Sequence, residues 1–153
     1  MKVAVAFDHR GTKLRERVLA DLDALGHEIV DLGEDAPEPP VDYPDKAREV
    51  GEAILAGDAE RGVLVCGSGV GAAVAACKLA GIRAAICHDV YSAHQGVEHD
   101  DMNILVLGAR VIGVELAREL ARVFLDARFT HEQRHERRLA KIKALEEGNR
   151  HAP

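Results

Sequence analysis

Cys66 is preceded by Val63-Leu64-Val65 and followed by Gly67-Ser68-Gly69-Val70-Gly71, after which the chain continues as Ala72-Ala73-Val74-Ala75-Ala76. A short apolar run, a glycine-rich turn and a run of helix formers describe a buried strand that turns into a helix. A thiol at the carboxyl end of that strand faces the start of the helix, where unpaired N–H groups and aligned peptide dipoles favour negative charge. Glycines let the backbone approach a ligand closely. The expectation is a depressed pKa for Cys66 and a reactive thiolate: a base or nucleophile beside a cradle for negative charge. The competing reading makes Cys66 a small buried hydrophobe. Cys77 and Cys87, within apolar helix and strand segments, are assigned to the core.

The same glycines partly satisfy a dinucleotide fingerprint, Gly67-x-Gly69-x-x-Ala72, with Asp89 about 20 residues further on. That reading is weakened because the motif follows the third strand rather than the first, and the chain has no room for a separate substrate domain. No Gly-Lys-Ser/Thr follows, which excludes a Walker loop. His88, His94 and His99 are too irregularly spaced to ligate a metal from one helix face. His99 stands in Glu98-His99-Asp100-Asp101, where a helix gives way to a polar loop. Arg134, Arg137 and Arg138 fall within one helical turn. Arg134 and Arg138 share a face and could grip one phosphate. A solvated face paired with Glu132 and Glu136 competes with that reading.

The elements that position these residues alternate. Strands are expected at Lys2–Phe7, His27–Leu32, Val63–Cys66, Ile82–Cys87 and Ile104–Leu107. Helices are expected at Lys13–Leu25, Ala47–Leu55, from Ala72, at Tyr91–Glu98, Gly113–Phe124 and Glu132–Leu145. The proline-rich stretch Gly33–Pro44 reads as a loop. The last helix is highly charged, with a narrow apolar stripe of Leu139, Ile142 and Leu145. Strands separated by helices imply a parallel sheet covered on both faces, with ligands bound beyond the carboxyl ends of the strands. Asp8-His9, Cys66 to Gly71, His88-Asp89 and Gly108-Ala109-Arg110 lie at those ends.

The 153 residues suit one domain, 1–153, with the charged helix at about 131–148. A net charge of −6 and only five aromatic residues speak against nucleic-acid binding. No apolar run is long enough to span a bilayer, and Met1-Lys2 leads into a strand rather than a signal peptide. Three cysteines without C-x-x-C spacing argue against a disulfide framework and for a reducing cytoplasm.

Taken in order, several stretches resemble the ribose-5-phosphate isomerase B family, which includes the galactose-6-phosphate isomerase subunits. They are Phe7-Asp8-His9-Arg10-Gly11, Asp42-Tyr43-Pro44, Cys66 to Gly71, Gly81-Ile82-Arg83-Ala84 and Tyr91-Ser92-Ala93. His99-Asp100-Asp101-Met102-Asn103, Gly108 to Gly113, Arg134-His135 and Arg138 complete the set. The resemblance implies an α/β/α sandwich on a five-stranded parallel sheet, order 2-1-3-5-4. It implies a homodimer, with room for a tetramer, and active sites between subunits that use no metal or organic cofactor. Carried over by position, Cys66 is the base that moves a proton between C1 and C2 of a sugar phosphate. His99 assists opening of the furanose ring. Gly67, Ser68, Gly69, Val70 and Gly71 hold the enediolate, with Ser68 a relay. Asp8, His9 and Tyr43 line the site, while Arg110, Arg134 and Arg138 bind oxygens and phosphate. The family usually has Asn after the histidine, where this chain has Asp100. An ionised Asp cannot donate to an oxyanion. Either Asp100 is protonated, or it turns away, or the substrate presents a hydroxyl donor, which makes another pentose, hexose or tetrose phosphate an alternative substrate. The competing functions are a catalytically silent sugar-phosphate-binding protein and a small nucleotide-binding module.

Overall fold

Apolar residues run unbroken along Val3–Phe7, Val63–Cys66 and Ile104–Leu107 of the central strands, as a parallel sheet buried on both faces requires. The computed structural model describes residues 1–33 and 36–150. Within them, Lys2–Phe7 forms β1, Glu28–Asp31 β2, Arg61–Cys66 β3, Ala84–Ile86 β4 and Ile104–Gly108 β5. All neighbours pair in parallel, in the order 2-1-3-5-4 expected from the resemblance. The helices are α1 (Arg15–Ala24), α2 (Tyr43–Ala56), α3 (Val70–Ala76), α4 (Val90–Asp100), α5 (Val114–Asp126) and α6 (Gln133–Arg150).

Successive strand residues point to opposite faces, so the sheet has two separate cores. Val3, Val5, Phe7, Val65, Leu105 and Leu107 pack with Val18 and Leu22 of α1, Val97 of α4, and Leu120 and Phe124 of α5. On the other face Ala4, Ala6, Leu64, Cys66 and Val106 pack with Ala47 and Val50 of α2 and with Ala72 and Ala76 of α3. Burying each large aliphatic or aromatic side chain contributes about 1.5–3 kcal/mol. Cys66 thus belongs by position to the α2/α3 core and by sequence to the mouth of the turn.

Several boundaries differ from the sequence reading. α2 begins at Tyr43 rather than Ala47, because Pro44 opens the helix instead of ending the loop. A proline is favoured in the first turn, where its missing N–H would have no helical partner anyway. A 3₁₀ turn at Thr12–Leu14 replaces the first residues of the expected α1. Cys77, expected in the core, is exposed. α3 ends at Ala76 and the chain turns away, leaving the thiol 3.2 Å from the carbonyl oxygen of Ala84.

The chain leaves β1 toward β2 on one side and leaves β3 toward β4 and β5 on the other. The carboxyl ends of β1 and β3 therefore flank the point where connections diverge. Open α/β sheets bind ligands there.

Candidate active site

Asp8 and His9 follow β1, and Cys66 to Gly71 follow β3, so the switch point gathers the first half of the expected site. A cleft of about 260 Å³ is lined there by Asp8, His9, Tyr43, Cys66, Gly67, Ser68 and Gly71, together with Arg10, Val41 and Asp42. The Asp8 carboxylate is buried and accepts the N–H groups of Arg10 and Gly11, both at 2.8 Å, which fixes the turn after β1. His9 Nδ1 lies 3.1 Å from the carbonyl oxygen of Val41. A carbonyl only accepts, so Nδ1 carries a proton. Tyr43 walls the cleft by resting its ring on α3 at Gly71. A Cβ at Gly71 would stand 2.5 Å from the tyrosine Cζ, so no larger residue fits without moving the ring.

Cys66 is 6% exposed. The N–H of Gly69, which starts α3 at φ 89°, donates to its Sγ at 3.1 Å. The N–H groups of Ala72 and Ser68 also favour the thiolate. The ring of donors is present and centred on the sulfur. Its effect on the thiol is nevertheless outweighed. Burial pushes the Cys66 pKa up, the nearby Asp8 carboxylate adds to that, and the N–H groups offset only part. The expectation of a depressed pKa is corrected accordingly: α3 has seven residues, and desolvation of the sulfur prevails over its dipole.

The second half of the expected site lies elsewhere on the chain. His99, in the last turn of α4, stacks on His135 of α6, ring centroids 4.1 Å apart and planes at 29°. His135 is fully buried, and its Nδ1 lies 2.7 Å from Oγ1 of Thr130. Thr130 gives its own proton to the carbonyl of Glu98, so it accepts from His135 Nδ1–H. Burial, then the neighbouring His99, lowers the His135 pKa, and Nε2 has no partner among the described residues. Arg134 and Arg138 flank this pair on α6 and add to the effect. Arg134 is also held by Glu132 at 2.8 Å, the pairing that the solvated-face reading anticipates. Asp100 borders a groove with Arg83, Met102 and Ile142. Arg110 follows β5 with its N–H bound to the carbonyl of Gly67 at 2.9 Å and its side chain exposed.

None of His99, Asp100, Arg110, Arg134 or Arg138 lines the Cys66 cleft of its own chain. A larger groove under α6, about 460 Å³, has neither thiol nor histidine in its lining. Among the described residues no group of three or more His, Cys, Asp or Glu could hold a metal ion.

The model of the ribose/galactose isomerase family matches residues 3–142. The chain belongs to that family. It is 40% identical over 146 residues to ribose-5-phosphate isomerase B of Escherichia coli, covering 95% of this chain and 97% of that protein. It is 39% identical over 130 residues to a D-erythrulose-4-phosphate isomerase of Pectobacterium atrosepticum, covering 84% and 85%. The structure of Clostridium thermocellum ribose-5-phosphate isomerase B superposes with a TM-score of 0.93 at 40% identity, over 97% of this chain and 99% of that one. The fold of the family is thus the fold of this chain, including its strand order.

The sequence reading missed three groups at these places. Arg10 lines the cleft beside His9, and no hydrogen bond or ion pair engages its side chain among the described residues. Val41, within the proline-rich loop, holds His9. Gln95 lies 2.6 Å from His99 Nδ1. Two of them had a signal available: Gln95 stands four residues before His99 on one helix, and Arg10 directly follows Asp8-His9 at the end of the first strand.

Proposed function

We propose that this chain is an aldose–ketose isomerase of phosphorylated sugars, acting in the cytoplasm as a homodimer, with ribose 5-phosphate and ribulose 5-phosphate as the leading pair. The observation that carries the reading is Cys66, a thiol at the switch point of the sheet with backbone N–H groups converging on its sulfur. Isomerisation needs a base to take a proton from the carbon beside the carbonyl and return it to the neighbouring carbon. It also needs donors near the oxygen that becomes an enediolate. In this reading Cys66 moves the proton, and the Gly67–Gly71 turn keeps the thiolate and the adjacent oxyanion tolerable in a nearly dry site. Asp8, His9 and Tyr43 position the sugar, and Ser68 relays a proton between its oxygens.

From its own chain the cleft has one arginine, Arg10, and not His99, while α4 and α6 present that histidine and two further arginines. A second copy is the economical source. His99, Asp100, Arg134 and Arg138 of one subunit then complete the cleft of the other, with Arg110 beside the glycine turn. Two features support a partner surface. In α6, from Gln133 to Gly148, only His135 is buried, an unstable state for a helix standing alone. Val70 and Val74 on α3, Tyr91 on α4 and Val111 after β5 are more than half exposed around the same edge.

Asp100 keeps tetrose and other sugar phosphates in contention, and a relative named for D-erythrulose 4-phosphate has the same fold family. The test is a panel of four- to six-carbon aldose and ketose phosphates in deuterated water, followed by NMR. Interconversion of at least one pair, with solvent deuterium at the carbon that receives the proton, is expected. Cys66→Ala should lower turnover by about 10²–10⁴-fold or more. Silence on every substrate, with binding retained, would leave a sugar-phosphate-binding protein instead.

A further inference from the structure

We propose that Gln95 is a positioning residue that fixes the tautomer of His99, placing the ring proton on Nε2. The inference rests on the reading of His99 as the acid that opens the sugar ring. Gln95 and His99 stand four residues apart on α4, and Gln95 Nε2 lies 2.6 Å from His99 Nδ1. An amide nitrogen carries only hydrogens, so it donates and Nδ1 accepts. A neutral imidazole accepting at Nδ1 carries its proton at Nε2. The nitrogen left for a ligand is then a donor, as a ring-opening acid requires.

The surroundings hold this arrangement. The His135 ring covers one face of His99 at 4.1 Å, and Thr130 fixes His135 in turn. Asp101, just past α4 at φ 49°, is clamped by Arg83, whose guanidinium bonds the Asp101 carbonyl at 2.7 Å and its carboxylate at 2.6 Å. Edge, face and helix end are thus each tied down, and Gln95 is the contact that selects between the two ring nitrogens. In the step this serves, the C1–O bond to the ring oxygen breaks as His99 Nε2–H protonates that oxygen. The C1 hydroxyl becomes the carbonyl and its proton returns through water to Nε2, so His99 ends neutral and the step needs no redox partner.

The experiment is nitrogen-15 NMR of the full-length protein, with the His99 signals assigned by their loss in His99→Asn. The wild type should show protonated Nε2 and unprotonated Nδ1. Gln95→Leu should give a mixture of tautomers, and Gln95→Glu, whose carboxylate accepts, should move the proton to Nδ1. With ribose 5-phosphate, which cyclises, kcat/KM should fall about tenfold in Gln95→Leu, the worth of one hydrogen bond, and further in Gln95→Glu. A tetrose 4-phosphate cannot close a furanose ring because the phosphate occupies O4, and its turnover should be spared. A protonated Nδ1 in the wild type, or an unchanged tautomer in Gln95→Leu, would overturn the proposal. Normal ribose 5-phosphate turnover in Gln95→Leu alongside slowed turnover in His99→Asn would also overturn it. The ring-opening reading itself fails separately, if His99→Asn slows both substrates equally or neither.

Discussion

Cys66 illustrates how one residue can be located from sequence and still be misjudged in chemistry. Its place at the end of a strand before a glycine turn follows from local pattern. Its pKa follows from depth, which the pattern does not encode: the sulfur belongs to the α2/α3 core, and burial overrides three favourable N–H groups. A base with a raised pKa is mostly protonated at neutral pH. The rate should therefore climb with pH through the neutral range and past the ordinary thiol range before levelling. Asp8 is one cause of the rise, so Asp8→Asn should move that limb to lower pH, and the amide oxygen can still accept from Arg10 and Gly11. A pH–kcat/KM profile of both proteins tests this. A wild-type plateau reached by about pH 7 would mean that another group takes the proton.

At the scale of elements, the sequence left α6 between a phosphate grip and a solvated face. The structure brings His135 under His99 and sets Arg134 and Arg138 beside the pair. Arg138, with no ion-pair partner among the described residues, is the freer cation, whereas Arg134 is shared with Glu132. Arginine's planar fork suits a phosphate. Arg138→Ala should raise KM for a sugar phosphate by roughly tenfold or more, Arg134→Ala less, and Arg137→Ala least. Equal small effects in steady-state kinetics would return all three to the solvated face.

His135 adds a pH dependence of stability. Its folded pKa is lowered, so the unfolded chain binds the proton more readily. The stabilisation is present above the ordinary histidine pKa of about 6.5 and is lost as pH falls through the folded value. His27, also lowered by burial, acts in the same direction. The Tm of wild type should fall between about pH 7.5 and 5.5, and fall less in His135→Gln, which removes one of the two groups. Identical falls in thermal melts of the two proteins would assign the effect elsewhere. The other elements were legible in kind and blurred at their ends. Pro44 was read as punctuation although it opens a helix, and Cys77 fell one residue past the end of another.

At the scale of the whole molecule, strand order followed from the resemblance, and a cleft at the carboxyl edge of the sheet was to be expected from strand–helix alternation alone. Which of the expected residues share a cleft was not legible, because spacing along a chain says nothing of which loops and helices meet in space. Asp8, His9, Tyr43 and the Cys66 turn share one cleft, while His99, Arg134 and Arg138 form another cluster at α4 and α6. A two-fold dimer that joins one cluster to the other's cleft makes two composite sites. The most direct measurement is activity after Cys66→Ala and His99→Asn chains, each nearly inactive on ribose 5-phosphate, are unfolded together and refolded as mixed dimers. Composite sites would pair an intact Cys66 with an intact His99 in one site of each mixed dimer, restoring about a quarter of wild-type activity in an equal mixture. Activity no higher than the sum of the two variants would contradict the account.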